Sequence, residues 1–419
     1  MIEIRISLIF LCVMLLGNIC CTRKQTSVIN FPEPTGPFGV GTIRYYFIDT
    51  NRPETFTPDL DDHREVAIRI WYPAKESSCI NRVPYIEHAE ERKRTLPKKS
   101  PLPASFFDKI SGVKSHSYKN AEFVDKKKKY PIIIFSHAYG AGMNQSTVLM
   151  EELASHGYIA ISVGHAYETS HFVKEDGTVK VFHPQNKELF IRAAERQNAM
   201  PVQRKISQTN DPKKIDTLIQ SLIDKRPKII ESLHIWVNDI SFLIDELEKM
   251  NNEKGLFYGR LDTERIGVLG HSFGGVAAGQ ACLVEKRCKA GINLDGLQLG
   301  DMIDKNLKRP FMFMHHDNIE ALNRTPNKIF FLNSKNTTYL ILIKGTRHLN
   351  FSDLSLPGFS EILGIPDGLL GKIEGLRCLK IQNDYIRAFF DKHLCGKKTK
   401  MLEDSSTDYS EVEIMIKNK

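Results

Sequence analysis

Arg265-Ile266-Gly267-Val268-Leu269-Gly270-His271-Ser272-Phe273-Gly274-Gly275 is the stretch that decides the fold. Its first half is an apolar β-type run, and its second half opens a small-residue helix through Val276, Ala277, Ala278, Gly279 and Ala281. Gly-x-Ser-x-Gly lies between them, so the pattern predicts a strand that turns sharply into a helix with Ser272 at the apex. Glycine suits positions 270 and 274 because a Cβ at either would collide with the adjoining strand and helix. The turn lifts the Ser272 hydroxyl clear of the sheet and sets its backbone at a helix N-terminus, where N–H groups face a developing anion. A five-residue pattern with two free positions recurs by chance. The strand before and the helix after separate this one from a glycine-rich turn with an incidental serine.

The bulk properties agree with an enzyme-sized globular chain. With 419 residues, 41% hydrophobic and 26% charged, it can build one large α/β domain or two small ones. The net charge is +8, but much of the excess falls in short runs, Arg92-Lys93-Arg94, Lys98-Lys99 and Lys126 to Lys129. These runs carry no interleaved aromatics and read as solvated loops, which argues against a nucleic-acid partner. At the N-terminus Arg5 precedes an apolar run from Ile6 to Leu16, followed by Gly17, Asn18 and Cys20-Cys21. The run is too short to span a bilayer and suits the apolar part of a signal peptide, so residues 1–21 are set apart from the fold. Cysteines directly after it suggest lipoprotein processing at Cys20 or Cys21, although the preceding residues fit a small-residue lipobox poorly. The expected location is extracytoplasmic: secreted, periplasmic or membrane-anchored. Five cysteines follow in the mature part, Cys79, Cys282, Cys288, Cys378 and Cys395, with no zinc-type spacing, and no metal or cofactor is implied. Cys282 and Cys288 can pair across a helix-to-strand loop or remain buried thiols.

Outward from the elbow, apolar segments alternate with helical ones. Thr42–Asp49 and Arg64–Tyr72 alternate with period two and read as an antiparallel pair at a sheet edge. From Pro73 to Lys129 periodicity is weak, as in a long loop. Tyr130 to Phe135 is a continuous apolar run, expected of a strand buried on both faces, and a helix over about 145–155 leads to a second such strand at 158–163. This β-loop-α-β unit implies a parallel sheet with a right-handed crossover. Residues 165–228, with Glu168, an Asp176-Gly177 turn and the helix start Asn210-Asp211-Pro212, read as an insertion, either a cap on the site or a surface embellishment. Leu233, Trp236, Val237, Ile240, Leu243, Ile244 and Leu247 form one helical stripe before the elbow. Strands at 290–294, 310–314 and 338–343 follow, and an amphipathic helix (Ile381, Tyr385, Ile386, Phe389, Phe390) closes the domain. The expectation is an α/β fold with a mostly parallel central sheet flanked by helices over 40–395, an inserted segment at 165–228, and a polar tail at 396–419.

A serine hydroxyl is a weak nucleophile until a histidine accepts its proton and a carboxylate orients that histidine. In α/β-hydrolases these partners follow the serine in the order acid, then histidine, on loops at the C-terminal ends of later strands. His348, just after the last strand, is the candidate base. Two acids compete: Asp295 ends the strand directly after the elbow helix, and Asp317 lies past the next one, where most members of the fold keep their acid. Position alone favours Asp317 weakly. The oxyanion hole needs one N–H after the elbow, that of Phe273, and one from the loop 137–140, assigned to Tyr139. His137 and His271 belong to the loop and elbow backbone and read as packing or hydrogen-bonding residues.

Several stretches together resemble the platelet-activating factor acetylhydrolases of plasma and intracellular type II kind and their bacterial relatives: Ile68-Arg-Ile-Trp-Tyr-Pro73, Tyr130-Pro-Ile-Ile-Ile-Phe-Ser-His137, Ser155-His-Gly-Tyr158, Gly270-His-Ser-Phe-Gly-Gly275, Asn293-Leu-Asp-Gly296 and His348-Leu-Asn-Phe-Ser-Asp353. The resemblance implies that the acid follows the strand immediately after the elbow helix, which moves the assignment to Asp295. It implies an α/β-hydrolase fold and a calcium-independent serine esterase that removes short or oxidised sn-2 acyl chains from phospholipids. A membrane surface reached through an N-terminal lipid anchor would suit such a substrate. Two departures border the acyl site: His137-Ala138 where the family often has His-Gly, and the long 165–228 insertion. Substrate choice therefore does not transfer with the site, and a general short-chain carboxylesterase or polyester hydrolase is the alternative. A surface lipoprotein using the scaffold without catalysis is the alternative of another class.

Overall fold

The computed structural model describes residues 29–96, 104–125, 128–174, 178–181, 186–209, 211–301, 305–318, 326–403 and 409–418. The N-terminal segment with Cys20 and Cys21, the Asp176-Gly177 turn and Asn210 lie outside the described residues.

The strands are β1 (Gly39–Pro53), β2 (His63–Ala74), β3 (Arg82–Pro84), β4 (Lys114–Lys119), β5 (Tyr130–Ser136), β6 (Ile159–His165), β7 (His171–Val173), β8 (Val179–Val181), β9 (Leu261–His271), β10 (Cys288–Leu294), β11 (Phe311–His316), β12 (Thr338–Ile343) and β13 (Val412–Lys417). The described helices are α1 (Ala89–Arg94), α2 (Ala104–Ile110), α3 (Thr147–Ser155), α4 (Lys187–Ser207), α5 (Pro212–Asp224), α6 (Pro227–Asn252), α7 (Phe273–Val284), α8 (Pro326–Asn333), α9 (Phe359–Leu363) and α10 (Gly375–Cys395). None is long and apolar enough to cross a membrane.

All the strands but β7 and β8 form one 11-stranded sheet in the order β13-β12-β11-β10-β9-β5-β6-β2-β1-β4-β3. Its centre, β6-β5-β9-β10-β11-β12, is parallel throughout. Helices cover both faces of such a sheet, which is why β5, β6 and β12 are buried along their whole length. On one face α6 packs Leu233, Trp236, Ile240, Leu243 and Leu247 against Ile132, Ile134, Ile266 and Val268. On the other, α3 and α10 set Leu149, Leu153, Ile381, Tyr385 and Phe389 over Ile133, Phe135, Leu269 and Ile292. The alternation along each strand decides which side chain reaches which layer.

Three expectations change. The antiparallel pair β1–β2 is not the rim of the sheet, because β2 also pairs with β6 and β1 with β4. The segment 73–129 holds β3, α1, α2 and β4 rather than loop alone; these elements are too short to establish a period. The tail supplies an edge strand: Val412–Lys417 pairs antiparallel with Thr338–Ile343 in full register. The strand itself is largely apolar (Val412, Ile414, Met415, Ile416) and half-buried, and it is the charged and polar residues around this short run that make the tail read as polar. Cys282 and Cys288 form a disulfide, with Cα atoms 5.3 Å apart, between α7 and the start of β10.

Candidate active site

The elbow is enforced by contact. A Cβ at Gly274 would stand 2.0 Å from the Ser136 carbonyl oxygen, and one at Gly270 would stand 2.3 Å from the Gly274 backbone. With both absent, β9 and α7 close on each other and Ser272 is left at φ 55°, ψ −118°. A side chain in that region costs about 1–3 kcal/mol, held here by the surrounding packing. The Ser272 N–H donates to the Leu294 carbonyl (2.8 Å), which ties the apex to the end of β10.

The three residues singled out in the sequence converge there. Ser272 Oγ lies 3.0 Å from His348 Nε2, and His348 Nδ1 lies 2.6 Å from Asp295 Oδ2. Asp295 leaves β10 at φ 55°, and its N–H donates to the Met314 carbonyl at 2.8 Å. Its side chain is 3% exposed. Burial alone would push its acidity down, but hydrogen bonds from His315, His316 and His348 outweigh burial and hold the carboxyl well below the usual carboxylate range. Asp317 is exposed and turned elsewhere: its carboxylate accepts the Gly345 N–H at 2.7 Å, pinning the start of the loop that bears His348.

That loop is fixed by residues the sequence did not single out. Asn350 Oδ1 accepts the N–H groups of Arg347 (2.8 Å) and Gly371 (2.7 Å). Asp353 accepts the Thr147 and Val148 N–H groups (2.7 and 3.2 Å), capping α3 across 206 and 205 positions of sequence. Neither role has a local signal, since each partner lies far away in the chain.

His271 and His137 act as hydrogen-bonding residues, as expected. His271 is 2% exposed; its Nε2 donates to the His348 carbonyl (3.0 Å) and its Nδ1 accepts from the Gln145 amide. Burial and the neighbouring His348 pull it down to about 3, so the ring is neutral at ordinary pH. The same Gln145 takes the Ala138 N–H on its Oε1 (2.7 Å), joining the loop after β5 to the elbow. His137 Nδ1 donates to the Ala138 carbonyl at 2.8 Å.

Residues of the 165–228 stretch support this loop from the other side. Gly140 N–H donates to the Glu168 carbonyl (2.9 Å). The buried Glu168 carboxylate takes hydrogen bonds from Ser232 (2.6 Å) and Trp236 Nε1 (2.7 Å), and Arg192 of α4 lies 3.6 Å away. The Tyr139 ring packs edge-on against Phe273 (5.6 Å, 84°), and the Arg196 guanidinium covers it at 4.9 Å. Residues 139 and 273 are thus neighbours, and Phe273, first in α7, has no intrahelical acceptor for its N–H.

His316 was also missed. It lies two residues past the apolar run 311–314, at the same C-terminal sheet edge as Asp295, and that position was its only signal. Its Nδ1 is 2.8 Å from both Asp295 carboxylate oxygens, and its N–H donates to Oδ1 at 3.1 Å.

A parallel sheet carrying a strained serine at the turn from a central strand into a helix defines an α/β-hydrolase. A solved structure titled ferulic acid esterase from Streptomyces cinnamoneus shares that fold, with a TM-score of 0.69 and 22% identity, covering 93% of this chain and 100% of its own. The model of platelet-activating factor acetylhydrolase, isoform II, matches residues 23–413, and the chain belongs to that family. The platelet-activating factor acetylhydrolase of Cavia porcellus is 25% identical over 373 residues, 87% of this chain and 78% of its own. A probable 1-alkyl-2-acetylglycerophosphocholine esterase of Arthroderma benhamiae is 32% identical over 167 residues, 35% of this chain and 42% of its own.

Proposed function

We propose that this chain is a serine esterase of the platelet-activating factor acetylhydrolase type, with Ser272 as nucleophile, His348 as base and Asp295 as acid. The observation that carries the reading is the unbroken relay of 3.0 and 2.6 Å from Ser272 Oγ through His348 to Asp295, in a chain of this family. As Ser272 Oγ bonds to the ester carbonyl carbon, its proton passes to His348 Nε2, and the Asp295 charge steadies the imidazolium. The carbonyl oxygen becomes an oxyanion held by the Phe273 and Tyr139 N–H groups. Collapse of that intermediate breaks the ester C–O bond, and His348 returns the proton to the leaving alcohol. Water, deprotonated by His348, then splits the acyl-enzyme and restores Ser272.

The substrates proposed are phospholipids with short or oxidised sn-2 acyl chains. Ser272→Ala should lower turnover of p-nitrophenyl acetate by 10⁴-fold or more with an unchanged circular dichroism spectrum. Full activity in that variant ends the reading. An acyl-chain series on phosphatidylcholine then tests the substrate: a preference for simple esters over every phospholipid would make the enzyme a general carboxylesterase.

A further inference from the structure

Asp295 serves two imidazoles. His348 takes one carboxylate oxygen at 2.6 Å, while His316 Nδ1 lies 2.8 Å from both oxygens and the His316 N–H adds a third contact at 3.1 Å. His316 is not shut inside: 34% of its side chain is exposed, so it exchanges protons with solvent. We propose that His316 is a positioning residue that shares Asp295 with His348 and sets the acid side of the pH–activity profile, an inference that rests on Asp295 being the catalytic acid.

The physical basis is competition for one negative charge. In the transition state His348 carries a proton and draws on Asp295 for stabilisation. A protonated His316 already neutralises part of that charge and adds a like charge across the same carboxylate. Protonating one ring therefore disfavours protonating the other, and the two titrate as a coupled pair.

The groups facing His316 favour its taking the first proton. The Asp295 hydrogen bond raises its affinity for protons against partial burial; the charges of Asp295 and Asp317 add to this, and Arg347 opposes it. His315 Nδ1, at 3.6 Å from Asp295 Oδ1, and His348 complete the set around the carboxylate. In the native enzyme the first proton is expected to settle on His316 and slow the reaction before further acidification stops it.

His316→Gln keeps an amide donor for Asp295 but cannot titrate. kcat/KM for p-nitrophenyl acetate should be measured from pH 4.5 to 9 for the native enzyme, His316→Gln and His316→Ala, with the His348 imidazole followed by NMR. The native acid limb is expected to fall in two steps. In His316→Gln it should become a single step, with activity at pH 9 kept within about tenfold of native. Profiles of the same shape and midpoint in all three proteins overturn the proposal, as does a uniform loss at every pH, which would mark a purely structural role. Asp295→Asn, run alongside, separates the two levels: full activity there removes Asp295 as the acid, whatever His316 does.

Discussion

Asp295→Asn is the substitution in which the two candidate acids give opposite results. The carboxylate lies 2.6 Å from His348 Nδ1 and accepts from His316 as well, so the amide replaces a charge with a dipole at the centre of the site. Two unit charges about 4 Å apart at an effective dielectric near 20 interact by about 4 kcal/mol. At 1.36 kcal/mol per decade, losing that stabilisation of the imidazolium slows the reaction about a thousandfold. The amide also presents its NH₂ to one of two imidazole nitrogens that already donate, which favours the wrong His348 tautomer and pushes the loss toward about 10⁴-fold. Asp317→Asn differs: its amide oxygen can still accept the Gly345 N–H, so activity should stay within about threefold of native. The assay is kcat/KM for p-nitrophenyl acetate at pH 8, with fluorophosphonate titration to count active sites and circular dichroism to check folding. Asp295→Asn within tenfold of native, together with a thousandfold loss in Asp317→Asn, would refute the reasoning and return the acid to the following strand.

Protonation of His137 and His271 should weaken the fold below about pH 6.5, against the buried carboxyls of Glu151, Glu168 and Asp353, whose burial raises their affinity for protons and acts with the opposite sign. Burial pulls His137 and His271 down to about 3, below the unfolded value near 6.5, so the unfolded chain binds more protons and stability falls as pH drops through that interval. Asp239 acts with the same sign at lower pH: Arg64 and His165 outweigh its burial and hold it below the unfolded value near 3.9. A change in melting temperature between pH 7 and pH 4.5 that is the same in His137→Gln as in the native protein would contradict the histidine contribution. Asp239→Asn should lower unfolding free energy by about 3–5 kcal/mol in urea titrations, because Arg64, 2% exposed and bonded to both Asp239 oxygens, loses its main counter-charge. An unchanged denaturation midpoint would show that Glu54 suffices. For the N-terminus, export with acylation at Cys20 or Cys21 is expected to leave a mature chain with added acyl mass by intact mass spectrometry; an unprocessed Met1 chain would reject it.

The sequence by itself determined the elbow, the buried parallel strands, the α6 stripe and the pairing of Ser272 with His348, because each is written in local pattern. Glycine is demanded where a Cβ would stand 2.0 Å from a neighbouring backbone oxygen, apolar runs where both faces of a strand are covered, and a histidine where the last parallel strand ends. Position along the chain left Asp295 and Asp317 both open and only the family resemblance chose Asp295; the tertiary structure set it beside His348 and turned Asp317 to the Gly345 N–H, since both leave neighbouring strands at the same edge and differ in the direction the chain takes there. It likewise brought Asp353 to the start of α3, His316 to Asp295 and β13 to the sheet edge. Such contacts join residues far apart along the chain through hydrogen bonds whose geometry depends on the packing of several elements at once, and no local pattern records them.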